Sequence, residues 1–385
     1  MKNGWQTKTL GDVCEVIAGQ SPEGKFYNSE GNGHPFYQGK KDFGEKFIEA
    51  PTTWTTQTTK VAKEGDILMS VRAPVGPVNF STEEICIGRG LAAIRSGIQL
   101  NRDFLFYQLL HLQPEIAGKE GAVFASINKA EIEALPLAFA PLAEQRRIVG
   151  LLDEAFAGLA TAKANAEKNL QNARALFESH LQSVYTQRGP GWVEKPLGEA
   201  LVKTETTDPT RSPQTEFDYI DVSSVSKETL AIQETQRLQG KDAPSRARKL
   251  VRTNDVIFAT IRPTLRRIAI VPDELDSQVC STGYFVLRAK PDMDHRLVFY
   301  FLQTETFMTA METLQKGASY PAVTDGDVRL QTIPIPPLNE QKTIAAKLES
   351  LRKETQRLTR LYEQKHVALE ALKKSLLHQA FTGEL

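Results

Sequence analysis

Little in this sequence points to chemistry performed by the chain itself. Three cysteines, Cys14, Cys86 and Cys280, are an odd number with no C-x-x-C pair, which excludes a disulfide framework and a cysteine zinc ribbon. The six histidines (His34, His111, His180, His295, His366, His378) show no ligand spacing. No apolar run reaches the ~18 residues of a membrane span. Met1-Lys2-Asn3-Gly4-Trp5 opens no hydrophobic export segment, so a soluble cytoplasmic protein is expected. Charge of one sign is also missing. Forty-seven Lys and Arg balance forty-seven Asp and Glu, which removes any global basic bias toward nucleic acid and any acidic tail. There is no G-x-x-x-x-G-K-[ST]. The nearest stretch, Gly39 to Gly44, is followed by Glu45, whose carboxylate would repel a phosphate. G-x-G-x-x-G and the Asn-Pro-Pro or Asp-Pro-Pro of amino-methylating methyltransferases are absent as well. No catalytic constellation is visible.

What is present is repetition. Gly4-Trp5 with Leu10-Gly11 returns as Gly191-Trp192 with Leu197-Gly198, 187 residues on. Gly65-Asp66-Ile67-Leu68 returns as Asn254-Asp255-Val256-Ile257, and residues 101–107 are echoed by 294–300. Pro141-Leu142-Ala143-Glu144-Gln145, then Ile148, returns as Pro337-Leu338-Asn339-Glu340-Gln341, then Ile344, now 196 residues on. A period near 190 residues is far longer than a solenoid unit and means two whole domains of one design. The repeat also disposes of a nuclease reading of Pro272-Asp273 with Glu340-Gln341-Lys342. Those last residues duplicate Glu144-Gln145-Arg146, a helix start with no Pro-Asp at that distance. Both glutamates suit the positive end of a helix dipole.

Each copy ends in a proline-free run of 48 residues, 142–189 and 338–385, rich in good helix formers. In the first, Ile148, Leu152, Ala155, Leu159, Ala162, Ala166, Leu170, Ala173, Phe177, Leu181 and Val184 recur at steps of three and four. In the second, Ile344, Leu348, Leu351, Leu358, Tyr362, Leu369, Leu372 and Leu376 keep that period, interrupted by Thr355 and Lys365. So thin a stripe over more than four heptads predicts a helix paired with another helix, about 45 residues and roughly 65–70 Å long. The alternative is two shorter helices per run, each packed on its own domain, with Gly150 and Gly158 as weak points. The preceding segments read as short strands between Gly, Pro and Asn turns, with a short helix near 102–112 or 295–305. The expected fold class is α+β: two mixed α/β heads joined by two long helices. The boundaries fall at 1–141, 142–188, 189–337 and 338–385.

Local charge is less even than the total. Residues 241–267 hold Lys241, Arg246, Arg248, Lys249, Arg252, Arg262, Arg266 and Arg267 against Asp242 and Asp255, a local +6. Residues 38–41 and 72–76 are the first-copy counterparts. Cationic side chains in glycine- and proline-bearing loops can reach guanine edges or phosphates, and Asn or Gln suits adenine, although such runs also occur as plain solvated faces.

With its two-fold head-and-helix plan, the two Pro-Leu-x-Glu-Gln-x-x-Ile starts and the terminal Ala380-Phe381-Thr382-Gly383-Glu384-Leu385, the whole chain resembles the specificity subunit of type I restriction–modification enzymes. Gly19-Gln20-Ser21-Pro22, Pro35-Phe36-Tyr37-Gln38-Gly39 and Ser126-Ile127-Asn128-Lys129 strengthen the likeness. The resemblance implies two target recognition domains, each reading half of a bipartite DNA sequence. They would be held apart by an antiparallel coiled coil with pseudo-two-fold symmetry, whose length sets the spacer. It implies double-stranded DNA as ligand and two methyltransferase (modification) subunits carrying S-adenosylmethionine. It further implies restriction subunits using ATP with magnesium, no cofactor or metal in this chain, and no catalysis by it. Comparison of the loops between copies nominates Lys40, Lys41, Arg72 and Arg89 in the first head, and Arg246, Arg248, Lys249, Arg262, Arg266 and Arg267 in the second. Tyr27, Asn28, Gln38, Ser223 and Ser224 are further base-edge candidates. Tyr37 is another, though its alternating strand also suits the core; strand-end salt bridges are the alternative for Arg72 and Arg262. A different class of function, a coiled-coil adaptor that gathers proteins without reading DNA, remains as the second reading.

Overall fold

In the computed structural model, which describes residues 4–117, 126–317 and 319–385, two units divide the chain: residues 1–166 with 363–385, and residues 167–362. Residues 1–3, part of the stretch read above for an export signal, lie outside the described residues.

In the first unit Ile67–Ser70 is buried at every position. Ile67 and Met69 belong to a core with Phe104, Leu105 and Phe106, whereas Leu68 belongs to a second with Tyr37, Ile85 and Ile87. Burial on both faces is why this strand is a continuous apolar run rather than an alternating one. It lies inside an antiparallel sheet ordered Cys14–Ala18, Leu91–Ser96, Ile67–Ser70, Val78–Phe80. The other sheet runs Tyr27–Asn28, Trp54–Thr55, His34–Tyr37, Ile85–Ile87, Val61–Ala62, with His34–Tyr37 parallel to Ile85–Ile87. Helix Arg102–Ala117 closes the first core.

The second unit repeats this plan. Its first sheet is Leu201–Val202, Tyr284–Ala289, Val256–Ala259, Ile268–Ile270. Its second is Gln236–Gln239, Glu216–Ile220, Val279–Ser281, Ala247–Leu250, and a parallel pair again sits at its centre, Glu216–Ile220 with Val279–Ser281. Matched ion pairs sit under both. Arg95 grips the buried Asp66 at 2.7 Å and Glu15 at 2.9 Å. Arg288 grips the buried Asp255 at 2.8 Å and Glu205 at 2.6 Å.

Each proline-free run is one unbroken helix, Leu142–Thr186 and Leu338–Thr382, 45 residues apiece. Gly150 and Gly158 do not break the first, and a Cβ at either would meet nothing within 4 Å. Every stripe residue of the first run is buried or half-buried. In the second, Leu372 departs from the expected stripe at 47% exposed. The seam there passes through Lys373, whose ammonium lies 5.3 Å from the Phe156 ring centre.

Both helices enter the core of each unit. In the first unit Ile148 and Leu152 share a buried cluster with Leu377, Ala380 and Phe381, and Phe381 meets Phe104 edge-on at 5.2 Å. The two helix segments there are antiparallel. Arg147 donates to the Leu385 carbonyl at 2.9 Å, Lys373 covers Phe156, and Lys163 pairs with Glu370 at 3.3 Å, so numbers rise on one helix as they fall on the other. In the second unit Leu181 and Tyr185 share a cluster with Ala345 and Leu348.

The duplicated Glu-Gln motif is the staple between helix and head. Gln145 is fully buried; its Oε1 accepts from the Asn101 N–H at 2.7 Å, and its Nε2 donates to the Gln99 and Ala140 carbonyls at 3.1 and 2.8 Å. Gln341 makes the same three bonds, accepting from Asp294 N–H at 2.8 Å and donating to Asp292 and Pro336 carbonyls, each at 3.0 Å. Only a side chain with both donor and acceptor at its tip satisfies these three backbone groups at once. The preceding glutamates start the helices: Glu144 bonds Arg147, and Glu340 accepts from the Trp192 indole at 3.0 Å.

Candidate nucleic-acid interface

Three loops of the first head meet around one glycine. A Cβ on Gly90 would fall 2.2 Å from the Gln38 carbonyl oxygen, so only glycine lets these backbones approach. The Gly90 carbonyl accepts from Val71 N–H at 3.0 Å, and the Val71 carbonyl accepts from Ile127 N–H at 3.0 Å. This brings Gln38, Arg72 and Arg89 to one edge, with Lys40 and Lys41 on the short turn that follows Gln38. All five are exposed, and Lys41 lies 3.8 Å from Asp42.

The second head builds the same crossing. The Gly283 carbonyl accepts from Thr260 N–H and the Thr260 carbonyl from Val323 N–H, both at 2.9 Å. Thr282 N–H donates to the Arg246 carbonyl at 2.8 Å, and Arg262 N–H to the Pro321 carbonyl at 2.7 Å. Arg246 and Arg262 are exposed beside this crossing. The register differs by one from the loop comparison. Arg72 bridges Ser126 as Ile261 bridges Ala322, so Arg262 lies one residue beyond the equivalent of Arg72.

The remaining candidates are engaged within the protein. Lys249 is held by the Tyr284 carbonyl at 2.6 Å and Asp325 at 2.8 Å. Arg267 donates to the carbonyls of Val222, Ser223 and Val225 at 3.0, 3.2 and 2.7 Å, fixing that turn. Arg248 reaches the Ala247 carbonyl and Asp208, and Arg266 pairs with Glu305 at 2.8 Å. Ser224 is buried and caps the Asp221 N–H, while Ser223 is exposed with its hydroxyl 3.3 Å from Asp221. Tyr27 stacks on Phe36 and donates to the Pro22 carbonyl; Asn28 closes a loop through two bonds to Asn32. Tyr37 is core. Its hydroxyl donates to the Glu49 carbonyl, and burial pushes the phenol up to about 12.

One exposed residue beside the second crossing was missed from the sequence. Tyr320 is 72% exposed, and the Arg262 guanidinium lies 5.3 Å from its ring centre. The available signal was its place four residues before the helix cap Thr324, matched by Phe124 four before the cap Asn128. Phe124 itself lies outside the described residues. Among the described residues no group of three His, Cys, Asp or Glu is placed to hold a metal, and no helix is long and apolar enough to cross a membrane.

Two domains of one fold, each presenting a loop crossing with cationic side chains, define a tandem recognition protein. The chain belongs to the family described as type I restriction modification DNA specificity domain, whose profile matches residues 2–170 and again 191–367. It is a specificity subunit by class, the non-catalytic part of such systems. It is 39% identical over 174 residues to a Methanocaldococcus jannaschii protein provisionally assigned as the MjaX specificity subunit of a type I restriction enzyme. That alignment spans 44% of this chain and 40% of the relative. It is 21% identical to the EcoDI specificity subunit of Escherichia coli across 99% of this chain and 88% of that one. Among solved structures, it matches a chain from a study of type I restriction–modification complex assembly and conformational transition. There the TM-score is 0.80 and the identity 18%, over 100% of this chain and 99% of the other. The HsdS subunit from Thermoanaerobacter tengcongensis matches with TM-score 0.64 and 18% identity over 100% and 98%. At these identities the structural matches speak to the fold.

Proposed function

We propose that the heads, residues 1–141 and 189–337, are target recognition domains that each read one half of a bipartite sequence in double-stranded DNA. The helices, 142–188 and 338–385, keep the half-sites at a set spacing. The observation that carries this reading is the repeated loop crossing, Val71 on Gly90 and Thr260 on Gly283, with exposed Gln38, Lys40, Lys41, Arg72 and Arg89 beside one and Arg246 and Arg262 beside the other. Exposed guanidinium and amide groups on a rigid edge can position on phosphates and read base edges. Lys249, Arg267 and Ser224 serve this face indirectly, by holding its turns.

In this reading two modification subunits, which supply S-adenosylmethionine, dock on the chain and methylate an adenine in each half-site. ATP-dependent restriction subunits join that assembly, in the cytoplasm. The chain supplies recognition and needs no cofactor of its own. Its even total charge fits, because partners can supply much of the phosphate clamp. Single-molecule mapping of methylated adenines, in cells with and without this protein, tests the reading. A bipartite, gapped motif that disappears with the protein is the expected result. An unchanged methylation map, with partner subunits still bound to the chain, would instead favour the adaptor.

A further inference from the structure

A single exposed aromatic ring is ordinary by itself, but one that lies against an exposed cation beside a candidate recognition loop has the makings of a contact. Tyr320 is the most exposed of the large aromatics among the described residues, and the three residues that follow it are hydrogen-bonded to neighbouring backbone. Lys316 and Ala322 exchange both backbone hydrogen bonds at 2.9 Å, and Gly317 is in the left-handed region (φ +100°). The Pro321 carbonyl is tied to Arg262 N–H, and Val323 to the Thr260 carbonyl, which is itself next to Gly283. The tip is therefore anchored to the loop crossing. Arg262, in the left-handed region at φ +50°, lies against the ring.

We propose that Tyr320 is a base-stacking residue of the second head, with Arg262 bracing the ring and neutralising the adjoining phosphate. This rests on the reading of that head as a DNA-recognition domain and adds to it a residue class absent from the charged and amide contacts. Two observations select DNA as the occupant. Arg262 against the ring and Arg246, whose carbonyl is bonded by Thr282 at the same crossing, are exposed cations, which suit a polyanion. In addition, the duplicated chain places an aromatic at the same offset from the following helix cap in each copy, Phe124 and Tyr320, as expected if both half-sites receive the same kind of contact. In a duplex a ring stacks only where a step is opened or a base has left the helix, and since every base has a π-face such a ring serves two heads that read different bases. It would also fill the space left when an adenine leaves the helix for methylation.

The test uses the full chain assembled with its modification subunits and a duplex carrying the mapped target. Tyr320→Ala is expected to weaken binding about 5- to 140-fold, the range of one base stack removed. Tyr320→Phe should stay within about threefold, because the ring does the work. The slope of log affinity against log salt should be unchanged in Tyr320→Ala and shallower in Arg262→Ala, since only the latter removes a cation. Wild-type-like binding by Tyr320→Ala would overturn the stacking role. So would weakened binding accompanied by loss of a modification subunit from the assembly, which would make the ring a protein contact. Failure of the wild-type assembly to bind its target selectively would instead refute the recognition reading beneath.

Discussion

At the scale of single residues, the cations nominated from local charge divide by what they touch. Arg246 and Arg262 are exposed at the crossing, whereas Arg267 spends its guanidinium on three backbone carbonyls and Lys249 on Tyr284 and Asp325. The two groups should fail differently. Arg246→Ala with Arg262→Ala should leave the melting temperature alone and lower the salt slope by about 0.9 for each phosphate no longer neutralised. Arg267→Ala should cost about 1–3 kcal/mol of stability, because it leaves carbonyls unpaired. Calorimetry and binding titrations at several salt concentrations separate them; equal loss of stability in both variants would contradict the division. None of this could be read from the chain, because a run of Arg and Lys looks the same whether its partner is a phosphate or a carbonyl brought near by folding.

At the scale of elements, the long helices were the most legible part of the sequence. Two proline-free runs with a steady three-four period leave few alternatives, and each is one helix of 45 residues. The glutamine of the duplicated motif was visible only as a helix start; its task, joining helix to head, depends on backbone groups 40 residues away or more. Gln341→Ala or Gln145→Ala should therefore destabilise its own unit by about 2–4 kcal/mol, since a buried N–H and two carbonyls lose their partner. Thermal unfolding followed by hydrogen exchange locates that loss.

Acid should loosen the docking of helix on head. Burial, then the charge of His378, holds His111 below the ordinary histidine value of 6.5, with Glu115 pulling the other way; burial also lowers His295. A depressed histidine favours the neutral form when folded, so its contribution is complete above about 6.5 and declines as pH falls toward the folded value. The urea midpoint should thus drop as pH falls below about 6.5, and His111→Phe should lessen the drop. A midpoint equally pH-dependent in that variant would assign the effect elsewhere.

At the scale of the whole molecule, the proposed spacing role predicts a geometric response. Seven residues inserted into both helices, within 160–180 and at the matching level of the other, would add about 10 Å while nearly restoring the helix face. The gap in the methylated motif should lengthen by about three base pairs at roughly 3.4 Å each, with both half-sites unchanged. A gap of the original length in the methylation map would refute the role.

The sequence alone determined that there are two heads of one design and two long helices, because duplication and helical period are properties of order along a chain. It also showed which contiguous motifs are missing, G-x-x-x-x-G-K-[ST] and C-x-x-C among them, since a run of neighbouring residues can be read directly. Tertiary structure decided which loops meet at Gly90 and Gly283, which cations are consumed inside the protein, and that Tyr320 stands exposed beside Arg262. It also decided that each head takes core residues from both helices, so that Phe381 of the last turn packs against Phe104 of the first head. These are contacts between residues far apart in number, set by how backbones cross and what they bury, and no local pattern encodes them.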